Sequence, residues 1–372
     1  MTQSERKKNP NITISAYKNG NESEIVSLLN QVFGGWPTHK ILGTSEEYWK
    51  WKYLDSPVKL LNIAIATTDG KIIACDHGLF KNVKLFDKTH VSEIGCDTAV
   101  HPEYRKLGIY NKMSEFREKK SRTDGTNFGY WITINPIFIE WAKKGNRPSL
   151  PFKLERLLWI NDISRYLFEN DVSYSQIKKT LFTIRKKILN INNDFEKYSD
   201  DYSIKDITRF KEDAEVFWNK LKPNYDLIVE RNSEYLNHRY CDTKTSCYIV
   251  KAIYRKNELL GYTVVATREN KKRINAHIID FITLPAEHIA ANILLQDTLN
   301  YLVKININSV DLWVVKNSYF SKLFKKNTFI QTKSLGPHIF LQEETINMEE
   351  WGLLQQLNPD RTHFVMGDTD IC

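Results

Sequence analysis

The most informative stretch of the sequence runs from Glu93 to Tyr110 and reads EIGCDTAVHPEYRKLGIY. An apolar, strand-like segment ends at Val100, and Pro102 then removes a backbone donor, which stops strand pairing. A basic turn that contains Gly108 follows at once, and an amphipathic pattern typical of a helix begins after it. The stretch therefore predicts a buried strand, a tight basic turn and a helix in immediate succession.

The predicted turn has the composition of an anion-binding loop. A helix N-terminus presents N–H groups without partners inside the helix and the positive end of the helix dipole, which suits a diphosphate. Arg105 and Lys106 add positive charge, and Gly108 can adopt backbone conformations that let the chain approach phosphates closely. We therefore expect a phosphate cradle over 105–110, with an ordinary strand-to-helix turn as the alternative.

The pattern VHPxYRxxGI, from Val100 to Ile109, resembles the acetyl-CoA pyrophosphate loop of the GNAT superfamily of N-acetyltransferases. The resemblance implies that acetyl-CoA, or another acyl-CoA, is the co-substrate. Its pantetheine would lie beside the end of the strand, and backbone amides of the loop would hold its pyrophosphate. The implied cofactor-binding residues are Ala99, Val100, Arg105, Lys106, Leu107, Gly108, Ile109, Tyr110 and Asn135.

Two residues depart from the family pattern. Tyr110 stands where the loop usually has a second small residue. Trp141 stands where the family often has a tyrosine that acts as general acid, and an indole cannot protonate a thiolate. The resemblance therefore leaves the general acid unassigned.

Two landmarks of the sequence recur in order. YWKWKY at Tyr48–Tyr53 is matched by YLNHRY at Tyr235–Tyr240, and NPIF at Asn135–Phe138 is matched by NSYF at Asn317–Phe320. The strand and helix patterns between these landmarks follow the same order in both halves. The sequence therefore predicts an α/β (α+β) fold of two tandem GNAT-like units, each a mixed central β-sheet flanked by helices.

The repeat leads to a division of the chain. The second half has LPAEH at Leu284–His288 where the loop would lie, without its arginine and glycine, so we expect this degenerate copy to bind no CoA. A polar tail is the default expectation for Asp368 and Asp370, with binding of a cationic amine as the alternative. The predicted segments are a disordered tail (1–11), a GNAT domain with the CoA loop (12–162), a helical connector and linker (163–203), a degenerate GNAT-like domain (204–345) and a C-terminal tail (346–372).

Glu93 and Asp97 are the predicted catalytic residues, as general bases that deprotonate a substrate ammonium directly or through water. Both lie on the strand that lines the expected reaction centre, and they share a face of it if the strand is regular. The alternative is a pair of solvated or salt-bridged carboxylates. The aromatic run Trp49, Trp51 and Tyr53 is expected to pack in the core rather than to stack on a sugar.

Composition narrows the class of protein. The 372 residues carry a net charge of +8, which suits an anionic ligand, but the lysines are scattered, so no nucleic-acid partner is expected. No run of eighteen apolar residues occurs, so no membrane insertion is expected. The five cysteines have no zinc-site spacing and favour a reducing, cytoplasmic setting without metal or disulfides. The oligomeric state is left open.

The predicted function is an N-acyltransferase that moves an acetyl or other acyl group from acyl-CoA to a primary amine by direct attack in a ternary complex. The family branch and the aromatic content suggest an amino sugar or a surface-polysaccharide precursor as the acceptor. One alternative is a FemABX-like aminoacyltransferase that uses aminoacyl-tRNA; the basic charge fits it, but the intact CoA loop argues against it. A second alternative is a non-catalytic protein that senses CoA.

Overall fold

A computed structural model describes residues 10–126, 128–134, 136–169, 201–245, 248–270, 273–332, 337–342 and 348–370. The chain divides into two compact units. Unit 1 takes in Met1–Lys81, Val91–Trp131 and Gln342–Ile346, and unit 2 takes in Asn82–His90, Ile132–Leu341 and Asn347–Cys372.

Unit 1 is built on a mixed β-sheet. Its elements, in chain order, are β1 (Thr13–Ala16), α1 (Glu22–Phe33), α2 (Ser45–Tyr53), β2 (Asn62–Thr68), β3 (Lys71–Leu85), β4 (Lys88–Val100), α3 (Ile109–Thr123) and β5 (Phe128–Thr133). The strands lie in the order β1-β2-β3-β4-β5. β1 and β3 run antiparallel to β2, whereas β5 runs parallel to β4. Asp69 and Gly70 connect β2 to β3 in a tight turn, and both have positive φ, as a type I′ hairpin turn requires.

Helices cover both faces of this sheet. Ile63 and Ile65 of β2 pack in a cluster with α1 and α2, while Ala64 and Ala66 pack against α3. This alternation follows from the two-residue period of a strand that is buried on both sides. α2 begins with a capping box between Thr44 and Glu47.

The aromatic run in α2 belongs to the core, as the sequence predicts. Trp49, Trp51 and Tyr53 are all buried in the cluster between α2 and the sheet. Cys75 and Cys96 are buried free thiols of the same unit.

Unit 2 contains a second mixed sheet. Its elements are α4 (Pro136–Lys144), β6 (Leu154–Ile160), α5 (Ile163–Glu169), β7 (Tyr202–Asp206), α6 (Glu212–Leu221), β8 (Leu227–Val229), α7 (Ser233–Leu236), β9 (Tyr248–Arg255), β10 (Glu258–Asn270), β11 (Arg273–Thr283), α8 (His288–Lys304), β12 (Ser309–Val315), α9 (Tyr319–Lys326), β13 (Ile330–Gln331), β14 (His338–Gln342), α10 (Met348–Leu354) and β15 (Thr362–His363). The main sheet has the order β13-β6-β12-β11-β10-β9-β7. β11 and β12 are parallel, and the other recorded neighbours are antiparallel.

One strand of unit 2 comes from an early part of the chain. β6 pairs antiparallel with β12 along its whole length, from Leu154 opposite Val315 to Ile160 opposite Ser309. The predicted connector follows β6 in the sequence; its first turns form α5, and residues 170–200 lie outside the described part of the chain.

The C-terminal residues are not a polar tail, contrary to the prediction. β15 pairs parallel with β8, and Asp368 is completely buried. Burial of this carboxylate is possible because Nη2 of Arg231, itself fully buried, lies 2.7 Å from its Oδ1. Arg231 lies far from Asp368 in the sequence, so the local pattern alone predicts a polar tail.

No helix among the described residues has the length and apolar character needed to cross a bilayer. Within the same residues, His, Cys, Asp and Glu side chains form no group of three or more that could hold a metal ion.

Candidate active site

β4 and β5 are paired over part of their length. Their parallel register runs from Ser92 opposite Phe128 to Ile94 opposite Tyr130. Among the described residues the recorded pairs end there, although β4 continues to Val100 and β5 to Thr133. The recorded pairing of the two strands therefore stops short of the carboxyl ends of both.

The basic loop follows directly at the end of β4. Pro102–Tyr104 forms a single 3₁₀ turn, and Nε of Arg105 donates to the carbonyl oxygen of Val100 at 3.3 Å. Lys106 and Gly108 both have left-handed backbone conformations, with φ of 67° and 71°. Gly108 is the N-cap of α3. The N–H of Lys112 donates to the carbonyl oxygen of Gly108.

The loop faces solvent while its ends are fixed. Arg105, Lys106, Leu107 and Gly108 are exposed, whereas Ile109 is only 2% exposed and anchors the start of α3. A Cβ added at Gly108 would meet nothing within 4 Å, so the backbone conformation, not crowding, requires glycine there. Positive charge, an open surface and a helix N-terminus therefore coincide in this loop, as an anion site requires.

Most of the predicted cofactor residues form this one continuous surface. Ala99 is buried and Val100 half-buried at the end of β4, and the residues from Arg105 to Tyr110 follow them. Asn135 lies outside the described residues, and for Trp141 the description is limited to its place in α4.

Asp97 is the most highly connected residue of β4. Trp36 Nε1 lies 2.9 Å from its Oδ1, while Lys52 Nζ and the hydroxyl of Tyr53 lie 2.6 Å and 2.5 Å from its Oδ2. Burial raises the pKa of Asp97, but the Lys52 ammonium and these hydrogen bonds outweigh it and lower the pKa to about 2. The carboxylate is therefore ionised and fully engaged by donors of the protein.

The backbone at Asp97 is also unusual. Its φ is +44°, a left-handed conformation in the middle of a strand. Nδ1 of His77 lies 3.0 Å from its carbonyl oxygen, and the indole Nε1 of Trp49 donates to His77 Nε2 at 3.0 Å. Burial is the main influence on His77 and lowers its pKa to about 4.

Glu93 lies in a different environment. It is fully buried, with Arg117 Nη1 2.5 Å from Oε1, Asn62 Nδ2 at 3.1 Å, and Ser121 donating to Oε2. Arg117 also binds Asp76 at 2.8 Å, so its guanidinium ties α3 to β3 and β4. These contacts agree with the salt-bridged alternative for Glu93.

The expectation that Glu93 and Asp97 share a face of β4 is wrong. Glu93 contacts Arg117 of α3, whereas Asp97 contacts Lys52 and Tyr53 of α2. The left-handed turn at Asp97 interrupts the alternation of side chains, as a bulge does. Sequence reasoning also missed His77 and Trp36, which form no motif and contact Asp97 across long stretches of chain.

The corresponding region of unit 2 has a different, mainly apolar lining. β11 and β12 pair in parallel from Ala276 opposite Val310 to Ile278 opposite Leu312, and the recorded pairing ends there. Beyond it lies a cavity that is lined mainly by apolar side chains. The lining residues include Phe320 and Phe324 of α9, and His363 and Val365 of the C-terminal segment.

A buried carboxylate also lies on β11. The hydroxyls of Tyr240 and Tyr262 donate to Oδ2 of Asp280 at 3.1 Å and 2.9 Å, and Arg231 Nε lies 3.0 Å from the same oxygen. Arg231 joins this group to Asp368. The strand-to-helix connection that follows β11 contains neither the arginine nor the glycine of the loop after β4.

Comparison with known proteins defines the class. Residues 13–140 match the acetyltransferase (GNAT) domain family. This region is therefore similar to the GNAT acetyltransferase domain, a domain of acyltransferases. No match was found among curated proteins.

Solved structures share the fold over most of the chain. A probable N-acyltransferase from Enterococcus faecalis V583 has a TM-score of 0.58 at 11% identity and covers 88% of this chain and 72% of its own. N-myristoyltransferase from Saccharomyces cerevisiae, with bound myristoyl-CoA and inhibitors, has a TM-score of 0.57 at 10% identity, with 89% and 79% covered. A GCN5-related N-acetyltransferase from Anabaena variabilis ATCC 29413 has a TM-score of 0.57 at 10% identity, with 88% and 72% covered.

Proposed function

We propose that unit 1 binds one acyl-CoA and transfers its acyl group directly to a primary amine. The pyrophosphate would lie on the loop from Arg105 to Tyr110, and the pantetheine along the edge of β4 at Ala99 and Val100. The observation that carries this proposal is the exposed, basic loop that places left-handed Gly108 at the start of α3, beyond the last recorded pair of β4 with β5.

The proposed chemistry needs few groups from the protein. The neutral amine attacks the thioester carbonyl carbon, the tetrahedral intermediate expels the thiolate of CoA, and the ammonium formed by the attack loses its proton. Backbone N–H groups on β4 would polarise the carbonyl oxygen, as oxyanion donors do. Glu93 and Asp97 remain the predicted bases, although the buried ion pair of Glu93 with Arg117 favours a structural role for Glu93.

The acceptor is proposed only as a primary amine of small molecular size. An amino sugar stays a prediction, and the buried positions of Trp49, Trp51 and Tyr53 remove the aromatic run as its stacking surface. The net charge of +8 favours acceptors that carry an anionic group. Cytoplasmic residence is proposed from the free thiols Cys75 and Cys96, which persist in a reducing compartment.

We further propose that unit 2 is a second copy of the GNAT unit that no longer binds CoA. Two features support a common origin. In each unit a tyrosine of the recurring aromatic segment donates to a carboxylate on the strand before the helix, namely Tyr53 to Asp97 and Tyr240 to Asp280. In each unit that strand runs parallel to the next one over a short register.

The function is tested by turnover with an acyl-CoA panel. The full chain is incubated with acetyl-CoA, longer acyl-CoAs up to myristoyl-CoA, and a panel of primary amines, and released CoA thiol is measured. We expect amine-dependent thiol release with at least one pair. Tight CoA binding without release for any amine would favour the CoA-sensing alternative, and failure to bind any acyl-CoA would contradict the proposal.

The aminoacyl-tRNA alternative predicts a different ligand. Aminoacyl-tRNA is added as a competitor in the CoA-binding assay and as a donor in the transfer assay. We expect neither competition nor aminoacyl transfer, because the loop at 105–110 suits a diphosphate and the lysines are scattered over the chain.

A further inference from the structure

We propose that His77 and Asp97 are positioning residues that hold the left-handed turn of β4 at the reaction centre, and that Asp97 is not the base that deprotonates the amine. The proposal rests on the function proposed above. It differs from the predicted role of Asp97, and the two roles give different results in the experiment below.

The carboxylate of Asp97 is already committed to the protein. Trp36 donates to one oxygen, and Lys52 and Tyr53 donate to the other. The side chain of Lys52 is only 7% exposed, so its ammonium depends on this carboxylate for charge compensation. A base that accepted the amine proton here would leave the Lys52 charge buried without its counter-ion.

His77 has one possible protonation state in this arrangement. The indole N–H of Trp49 is a donor only, so the Nε2 that it contacts must be an acceptor. A backbone carbonyl is an acceptor only, so the Nδ1 that faces Asp97 must carry the hydrogen. The imidazole is therefore neutral, with its single proton on Nδ1, and protonation would break the contact with Trp49.

This fixed imidazole determines the direction of one peptide group. The C=O of Asp97 points to His77 of β3, and in a trans peptide the N–H of Thr98 points the opposite way. β4 lies between β3 and β5 in the sheet. The N–H of Thr98 therefore points away from the imidazole of His77, beyond the last recorded pair of β4 with β5, and becomes the candidate donor to the thioester oxygen.

The backbone carbonyl and the side-chain carboxylate of Asp97 both hold the left-handed turn in place. His77 holds its carbonyl, and the donors from Trp36, Lys52 and Tyr53 hold its carboxylate. The ring of Tyr53 stacks on the imidazole of His77, with centroids 4.6 Å apart and planes 28° apart, so the two anchors pack against each other. A left-handed aspartate inside a strand is strained, and these contacts compensate for the strain.

The experiment separates a positioning residue from a base. The full chain and the variants His77→Asn, His77→Leu, Tyr53→Phe and Asp97→Asn are compared by kcat, KM, acyl-CoA affinity and the pH dependence of kcat. Asparagine keeps an N–H that reaches the Asp97 carbonyl, whereas leucine keeps none. We expect His77→Leu to lower kcat by about 10- to 100-fold, the order of loss that follows a misplaced group, with acyl-CoA affinity unchanged and kcat partly restored in His77→Asn.

Asp97→Asn decides between the two roles. We expect its kcat to fall while the acidic limb of the pH profile stays in place. Disappearance of that limb would show Asp97 to be the base and overturn the proposal, as would a wild-type kcat in His77→Leu. Tyr17→Phe is the matched control for Tyr53→Phe, because Tyr17 also packs on Trp49 and donates to a carboxylate, Glu22, without contacting Asp97.

A second readout does not depend on turnover. Nitrogen-15 NMR of the histidine rings shows which of the two ring nitrogens carries the proton. For His77 we expect the proton on Nδ1 and none on Nε2. We also expect the Thr98 amide signal to shift in His77→Leu. The opposite tautomer, or an imidazolium at neutral pH, would overturn the proposal. If the wild type transfers no acyl group but shows the expected tautomer, the proposed function fails and the anchored turn stands as a structural feature.

Discussion

Arg231 and Asp368 form an ion pair with no exposure to solvent, Nη2 lying 2.7 Å from Oδ1. The same guanidinium binds Asp280 of β11. It therefore ties the C-terminal segment to β11, the strand of unit 2 that corresponds in order to β4 of unit 1. His363 and Val365 of this segment line the cavity beyond the end of the β11–β12 pairing. In unit 2 the C-terminal segment therefore lies beyond the strand pair that corresponds in order to β4 and β5.

Loss of this pair should destabilise unit 2. Asp368→Ala leaves Arg231 with one carboxylate and the Val365 N–H without its acceptor, so we expect a decrease of roughly 1–3 kcal/mol in the free energy of unfolding. Urea unfolding measures it. Asp360→Ala is the matched control, since Asp360 pairs with Lys322 at the surface and should cost less than about 1 kcal/mol. Equal costs in the two variants would contradict this view.

Gly108→Asp should abolish acyl-CoA binding. The added carboxylate would project from the helix N-terminus into the position proposed for the pyrophosphate and repel it. Gly125→Asp is the matched control, because Gly125 also has positive φ, lies just beyond the other end of α3 and has open space around its Cα. Calorimetric titration with acetyl-CoA should show no binding for the first variant and unchanged binding for the second.

Arg105→Ala should weaken acyl-CoA binding without abolishing it. One charge-assisted hydrogen bond is worth about 1–3 kcal/mol, and the loop amides remain. The loss should shrink as ionic strength rises, because the site is exposed and salt screens it. Affinity is measured at two salt concentrations, with Arg122→Ala, in the last turn of α3, as the control. An affinity equal to that of the wild type would remove Arg105 from the site.

His77 should make stability depend on pH between its unfolded and folded pKa. The folded pKa of His77, about 4, lies below the ordinary histidine value of 6.5, so the unfolded state binds more protons between these two pH values. The stabilisation from neutral His77 is about 3 kcal/mol. It is complete above about pH 6.5 and is lost as the pH falls through about 4. Urea unfolding at pH 7, 5.5 and 4 should show this decline, and it should be smaller in His77→Asn.

Local patterns were enough to predict much of the fold. The predicted strand that ends near Val100 and the predicted helix after Gly108 are observed as β4 and α3, because a strand-ending proline and a glycine at a helix start act within a few residues.

Features that depend on distant partners were not predictable in this way. β6 reads as a strand of the first half, yet its partner β12 lies far along the chain in unit 2. The left-handed turn at Asp97 has no signature, since aspartate adopts this conformation only where its surroundings impose it. The burial of Asp368 could not be predicted from local patterns, because its partner Arg231 is remote in the sequence.

The position of β6 also determines how the separate contribution of each unit should be tested. Truncation of the chain near residue 195 would remove β12 and leave β6 without the strand with which it pairs. Point variants in the full chain are therefore the appropriate test of what each unit contributes.

The central claim is that one acyl-CoA binds per chain, on the loop that follows β4. The most direct measurement is calorimetric titration of the full chain with acetyl-CoA, repeated with Gly108→Asp and Asp368→Ala. The account predicts one site per chain in the wild type and in Asp368→Ala, and none in Gly108→Asp. Two equivalent sites per chain, or an intact site in Gly108→Asp, would contradict it.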